Sequence, residues 1–102
     1  MGRSRTYHPA VADDLKSAIQ YYDAISTDLG NRFRVVIRSR LQDVGNHPEM
    51  FGMVRDGFRA AGVRRFPYVI VFTVDDSRVL IVGIFHAHSD QQGWFARLGR
   101  KA

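Results

Sequence analysis

The stretch YVIVFTVDDSRVLIVGIF, residues 68–85, decides how this chain folds. Tyr68 to Val74 and Val79 to Phe85 are rich in valine, isoleucine and phenylalanine, side chains that fit a pleated, well-packed surface. Between them, Asp75-Asp76-Ser77-Arg78 carries residues that hydrogen-bond their own backbone in tight turns. The segment is therefore a β-hairpin. Both strands are apolar on both faces, which places them at the centre of a sheet with helices over one side. Neither run is long enough to cross a bilayer.

Upstream, the segments around Gly52 to Arg55 and Arg59 to Arg65 are shorter strands interrupted by Asp56-Gly57 and Gly62. Before Pro48 the period changes. Val11, Leu15, Ala18, Tyr22, Ile25 and Leu29 recur at gaps of four and three, the spacing of one helical stripe. This predicts a helix from Pro9 to Leu29, with Pro9 in its first turn, Asp13 and Asp14 near its positive end, and Gly30 ending it. Asn31 is then the expected N-cap of a second helix to about Gly45, burying Phe33, Val36, Ile37, Leu41 and Val44. Asn46-His47-Pro48 closes it. Thr6 to His8 supplies an edge strand, and Gln91 to Leu98 a last short helix. The expected architecture is α+β: an N-terminal edge strand and helical hairpin packed on a mostly antiparallel, curved sheet, with a short C-terminal helix. A chain of 102 residues has room for one domain, residues 1–102.

Lysine and arginine outnumber aspartate and glutamate by 15 to 10, a formal charge of +5. Among these cations only Lys16 and Lys101 are lysines, and arginine suits phosphates and carboxylates through its planar fork. The partner is thus something acidic: nucleic acid, the ribosome, an acidic protein segment or an anionic membrane. No cysteine is present to build a disulfide or thiolate site. The N-terminal residues have no apolar run after their charges, so the expected location is cytoplasmic, with no membrane partner. No cofactor motif stands out, and His86 and His88 have no clear third partner for a metal.

In order along the chain, several strings resemble the RelE/ParE toxin superfamily: Tyr21-Tyr22-Asp23, Leu29-Gly30-Asn31-Arg32-Phe33, His47-Pro48-Glu49-Met50, Val63 to Phe72, and Val79 to His86. The resemblance covers roughly Tyr7 to Trp94 and is carried by the ordered set rather than by any one motif. It implies a growth-inhibiting toxin of a type II toxin–antitoxin system, paired with a cognate antitoxin in a hetero-oligomer. Within the superfamily, ParE-like members block DNA gyrase and RelE-like members cleave messenger RNA on the ribosome. The long paired helices and Phe66-Pro67-Tyr68 are closer to ParE. A degenerate toxin kept for antitoxin binding and operon autoregulation is a third alternative. After the strand-end histidine, the string His86-Ala87-His88-Ser89-Asp90 has histidine and serine where many members carry arginines.

Candidate chemistry follows from the same segments. His86 and His88 titrate near neutrality, so one can accept a ribose 2′-hydroxyl proton while the other donates to a leaving oxygen. Strand alternation puts both on the face of Leu80, Val82 and Ile84. Otherwise His86 ends a strand and His88 faces solvent. Arg59, Arg64 and Arg65 are alternatives for a phosphate or target contact. Arg64 and Arg65, if extended, point to opposite faces; the competing role is that of edge-strand cations. Tyr68 can stack on a base or sit at the core rim. Asp90 can orient an imidazole or cap a loop. Arg32, Arg34, Arg38 and Arg40 form either a nucleic-acid stripe or a solvated face.

Overall fold

The computed structural model describes residues 4–99. Strand β1 (Ser4–Tyr7) leads into helices α1 (Val11–Ile25) and α2 (Thr27–Asn46). A single turn at Pro48–Met50 is followed by β2 (Met53–Arg55), β3 (Phe58–Gly62), β4 (Tyr68–Val74), β5 (Arg78–His86) and α3 (Gln91–Ala96). The strands form one open sheet in the order β1-β5-β4-β3-β2. Only the β1–β5 pairing is parallel, so the sheet is mostly antiparallel, as expected. The predicted hairpin is present, with the Asp75 carboxylate accepting from the Ser77 and Arg78 amides (3.0 and 2.9 Å).

Two sequence expectations about the helical hairpin are corrected. The break falls at Ser26, not Gly30, and Asn31 is not a cap. Ser26 has extended backbone, and its hydroxyl accepts from the Leu29 amide at 3.0 Å, which starts α2. Gly30 lies buried inside α2, where a Cβ would collide with the Asp23 carboxylate of α1. Its value is therefore close approach rather than termination. The absent side chain lets Asp23 reach across and take a forked pair from Arg34 (2.9 and 2.6 Å).

The hairpin packs Val11, Ala18, Tyr22, Phe33, Ile37 and Val44 against Ile70, Phe72, Val79, Ile81 and Ile84 of the sheet. The opposite face is covered too. Val71, Val82 and Phe58 pack under Trp94 and Phe95 of α3, which explains why β4 and β5 are apolar on both sides.

A register shift lies opposite Val71 and Phe72, which pair with Gly83 and Ile81 and leave Val82 unopposed. This bulge resets the alternation of β5, so Ile81 and Ile84 both face the helices while Val82 faces α3. His86 accordingly shares a face with Ile84 but not with Val82, a correction to simple alternation. The Ile84 amide donates to Asp14 of α1 (3.0 Å). Asp14 takes two further bonds from Arg97, at 2.5 and 3.1 Å, tying α1, β5 and the end of α3 together. A Cβ on Gly83 would strike Phe85 and the Arg97 guanidinium.

Candidate functional site

At one end of the sheet, the start of β4 meets the end of β5, with Tyr68 opposite His86. Their rings lie 5.5 Å apart, edge to face, and His88 follows at 5.5 Å from His86. Both histidines are exposed. The His86 ring is held by its Nδ1, which accepts from the His88 amide (3.2 Å). Its carbonyl accepts from the Ser89 hydroxyl (2.6 Å), and that oxygen accepts in turn from the Trp94 indole (2.8 Å). The chain after β5 is thus folded back by hydrogen bonds, which holds the two imidazoles side by side.

Tyr68 is half-buried, with edge contacts to Tyr22 and Phe33 of the helical hairpin at 6.2 and 5.6 Å. Burial raises the Tyr68 phenol pKa above 10.0, and the nearby Tyr21 phenol adds to the shift. The same end carries the β3–β4 turn, anchored beside β5 where the Ala87 amide donates to the Pro67 carbonyl (2.8 Å). Arg64 and Arg65 belong to this turn, not to a strand as the sequence suggested. The expectation that they face opposite sides of the sheet does not hold, because β3 ends at Gly62. Both are exposed and neither has a hydrogen bond or ion pair among the described residues.

The other candidates lie elsewhere or are already engaged. Arg59, paired with Phe72 in the sheet, donates to the Phe51 carbonyl (2.5 Å) and braces the segment before β2. Asp90 does not touch an imidazole; it caps α3 by accepting from the Gln92 amide (3.0 Å). Of the α2 arginines, Arg32, Arg34 and Arg40 pair with Asp28, Asp23 and Asp43. Arg38 stays exposed. A continuous basic stripe is therefore not formed.

Sequence reasoning missed Tyr21, which is 61% exposed beside this cluster and stands 5.1 Å from Tyr22. Its signal was the Tyr-Tyr pair itself, since Tyr22 falls on the apolar stripe of the helix and Tyr21 falls outside it. Also missed was a groove of about 680 Å³ between α2 and the β3–β4 turn, lined by Leu29, Asn31, Arg32, Val35, Val36, Arg65 and Phe66.

A family profile described as the ParE toxin of the type II toxin–antitoxin system parDE matches residues 6–91. The chain belongs to the ParE toxin family. A solved chain from a chromosomal ParDE toxin–antitoxin system of P. aeruginosa superposes with a TM-score of 0.73 at 17% identity. The likeness covers 84% of this chain and 97% of that one, and shows a shared fold. Comparison with curated proteins gave no match.

In this ParE toxin the Tyr68–His86–His88 cluster offers an aromatic edge, two imidazoles and, from the neighbouring turn, two guanidinium groups. Such a set can stack on a base or a partner's aromatic ring and can neutralise a phosphate or carboxylate. No carboxylate among the described residues hydrogen-bonds to either imidazole. No described helix is long and apolar enough to cross a membrane.

Proposed function

We propose that this toxin arrests growth in the cytoplasm by binding DNA gyrase, and that a cognate antitoxin neutralises it in a hetero-oligomeric complex. The observation that carries the proposal is the match to the ParE family over residues 6–91. The engagement of Asp90 as a helix cap also supports a binding toxin over a catalytic one, since a histidine base is commonly oriented by a third group. Purified toxin is expected to inhibit supercoiling by gyrase and to leave ribosome-bound messages intact. Normal supercoiling at saturating toxin would remove the proposal.

A second reading, message cleavage through 2′-hydroxyl attack, is favoured by one feature: exposed His86 and His88 with ring centres 5.5 Å apart, beside Tyr68. Here Arg64 or Arg65 would hold the phosphate. Full cellular toxicity of a His86→Ala, His88→Ala double variant would end it.

A further inference from the structure

Where the open β1 edge of the sheet meets the helical hairpin, two recesses join at Tyr7, Leu15 and Leu41 to make one groove. The first, about 460 Å³, is lined also by Ile19 and Ile37 and carries Arg5, Arg38 and Gln42. The second, about 430 Å³, continues past Val11, Ala12 and Ile84, and among the described residues no arginine, lysine or carboxylate lines it. Each volume falls in the range of small-ligand sites. The groove thus has a cationic end and an apolar end.

The cationic end is assembled by the fold and then left unused. Arg34, Arg38, Gln42 and Gly45 follow one another at the spacing of a single helical face, and Arg34 is taken up by Asp23. Arg5 arrives from β1 and lies against Gly45, where a Cβ would meet its Cδ and Cγ at 2.9 and 3.1 Å. The glycine therefore leaves room for the Arg5 stem, whose residue lines the same recess as Arg38. Neither guanidinium has a hydrogen bond, ion pair or ring contact among the described residues. The Tyr7 hydroxyl has no hydrogen bond either, and that residue is 46% exposed. Two like charges kept in one recess without a carboxylate favour an incoming anion.

We propose that this groove binds a free amphiphilic anion, a carboxylate with a linear aliphatic tail. The head lies on Arg5 and Arg38, and the tail runs along Leu15 and Leu41 toward Val11 and Ile84. Charge complementarity selects the head, because a guanidinium fork matches a carboxylate. The mostly aliphatic walls select the tail, since an alkyl chain gains contact there and has no polar group to satisfy. A peptide would bring backbone amides that such walls leave without partners. A second copy of a chain carrying +5 would bring only more positive charge. The ligand is a small molecule, so the site works apart from any macromolecule that meets the β3–β4 turn, and it does not depend on the growth-arrest reading.

The test uses the full toxin and dodecanoate below its micelle concentration, with titration calorimetry and thermal unfolding. Saturable binding that raises the melting temperature is expected, because a ligand of the folded state stabilises it. Decanoate, with a shorter tail, should bind about tenfold more weakly, and acetate should not bind measurably. Arg5→Ala and Arg38→Ala should each weaken dodecanoate about tenfold. Both should keep the wild-type melting temperature, since neither guanidinium gives up an internal bond. Lys16→Ala, exposed on α1 and outside the groove, should stay within about twofold. Unsaturable binding with a fall in melting temperature would mark dodecanoate as a denaturing detergent and overturn the proposal. Equal affinity for decanoate and dodecanoate would place the tail outside the groove and overturn it too. Full affinity in both arginine variants, or an equal loss with Lys16→Ala, would do the same by showing that the head is not held there. Binding to phosphatidylglycerol vesicles with none to monomeric dodecanoate would show attraction to a lipid surface in place of a groove ligand, which also ends the proposal.

Discussion

Removing Arg97 should loosen this toxin more than removing any of its surface arginines. Arg97 donates to both oxygens of Asp14 (2.5 and 3.1 Å), reaches the Val82 carbonyl (3.3 Å) and lies 4.6 Å over the Phe85 ring. The side chains are only 20% and 14% exposed. An exposed pair contributes about 0–1 kcal/mol, whereas breaking a fully buried one costs about 3–5 kcal/mol. The Asp14 carboxylate keeps the Ile84 amide when Arg97 is gone, which moderates the loss. An Arg97→Ala variant should therefore lose about 2 kcal/mol. For a domain of this size that corresponds to a fall in melting temperature of roughly 10 °C. Arg97→Lys should lose about half as much, keeping charge but not the fork. The assay is thermal and urea unfolding of wild type, Arg97→Ala, Asp14→Asn and the double variant. A coupling of about 1.5 kcal/mol is expected from the cycle. A shift below about 2 °C for Arg97→Ala, or strictly additive single effects, would show that the pair is not coupled and refute the reasoning.

Three further outcomes can be checked on the same protein. Gly83→Ala should destabilise by about 1–3 kcal/mol in urea unfolding, because its Cβ meets Phe85 and Arg97 at the bulge. Asp23 and Asp75 titrate below the usual carboxylate value, Asp23 chiefly through its bond from Arg34 and Asp75 through the Ser77 and Arg78 amides. With folded pKa values depressed, the stability they contribute is present above the unfolded value near 3.9 and is lost as pH falls through the folded ones. Carboxyl NMR titration should show both, with Gly30→Ala moving Asp23 alone back toward its ordinary value. The Tyr68 phenol, raised by burial and by Tyr21, should ionise later than free tyrosine in an ultraviolet titration. Its contribution is full below about pH 10 and declines as pH rises through the folded value; simultaneous ionisation of all tyrosines at the free value would contradict the packing.

Much of the architecture was legible because hydrophobic period is a local signal. Strands β4 and β5, the hairpin turn between them and the two long helices follow from apolar spacing alone. What escaped depends on contacts between distant residues. Gly30 reads as a helix stop until Asp23 is seen lying against it, and Ser26 outcompetes it because a hydroxyl cap and extended backbone end α1 one turn earlier. The bulge at Val82 leaves no mark in composition, yet it decides that His86 joins Tyr68 rather than Trp94. Asp14 looks like an ordinary helix-start anion, and only the fold brings Arg97 to it across 83 residues. At the candidate site, the residue types were readable while their grouping was not: Tyr68, His86 and His88 converge, whereas Arg59 and Asp90 serve local backbone.

Net charge by itself locates nothing on this molecule; the distribution of engaged and unengaged arginines does. Arg32, Arg34, Arg40, Arg78 and Arg97 pair with carboxylates, Arg59 holds a carbonyl and Arg55 lies over Phe95. Among the described residues this leaves the guanidinium groups of Arg5, Arg38, Arg64 and Arg65 without a hydrogen bond, ion pair or ring contact. Arg5 and Arg38 line a groove shared by β1 and the two long helices, while Arg64 and Arg65 are neighbours in one turn, beside the cluster of Tyr68 and the two exposed imidazoles. An acidic partner approaching at long range responds to the total charge, but at contact only unengaged guanidinium groups bind it without first breaking an internal bond. The turn between β3 and β4 combines such groups with apolar surface, and one of the two is kept in a left-handed backbone that glycine would occupy with less strain. Substituting Arg38, which also lacks an internal bond but sits in the other groove, should therefore alter the salt dependence of partner binding more than its strength. Substituting Arg65 should do the reverse.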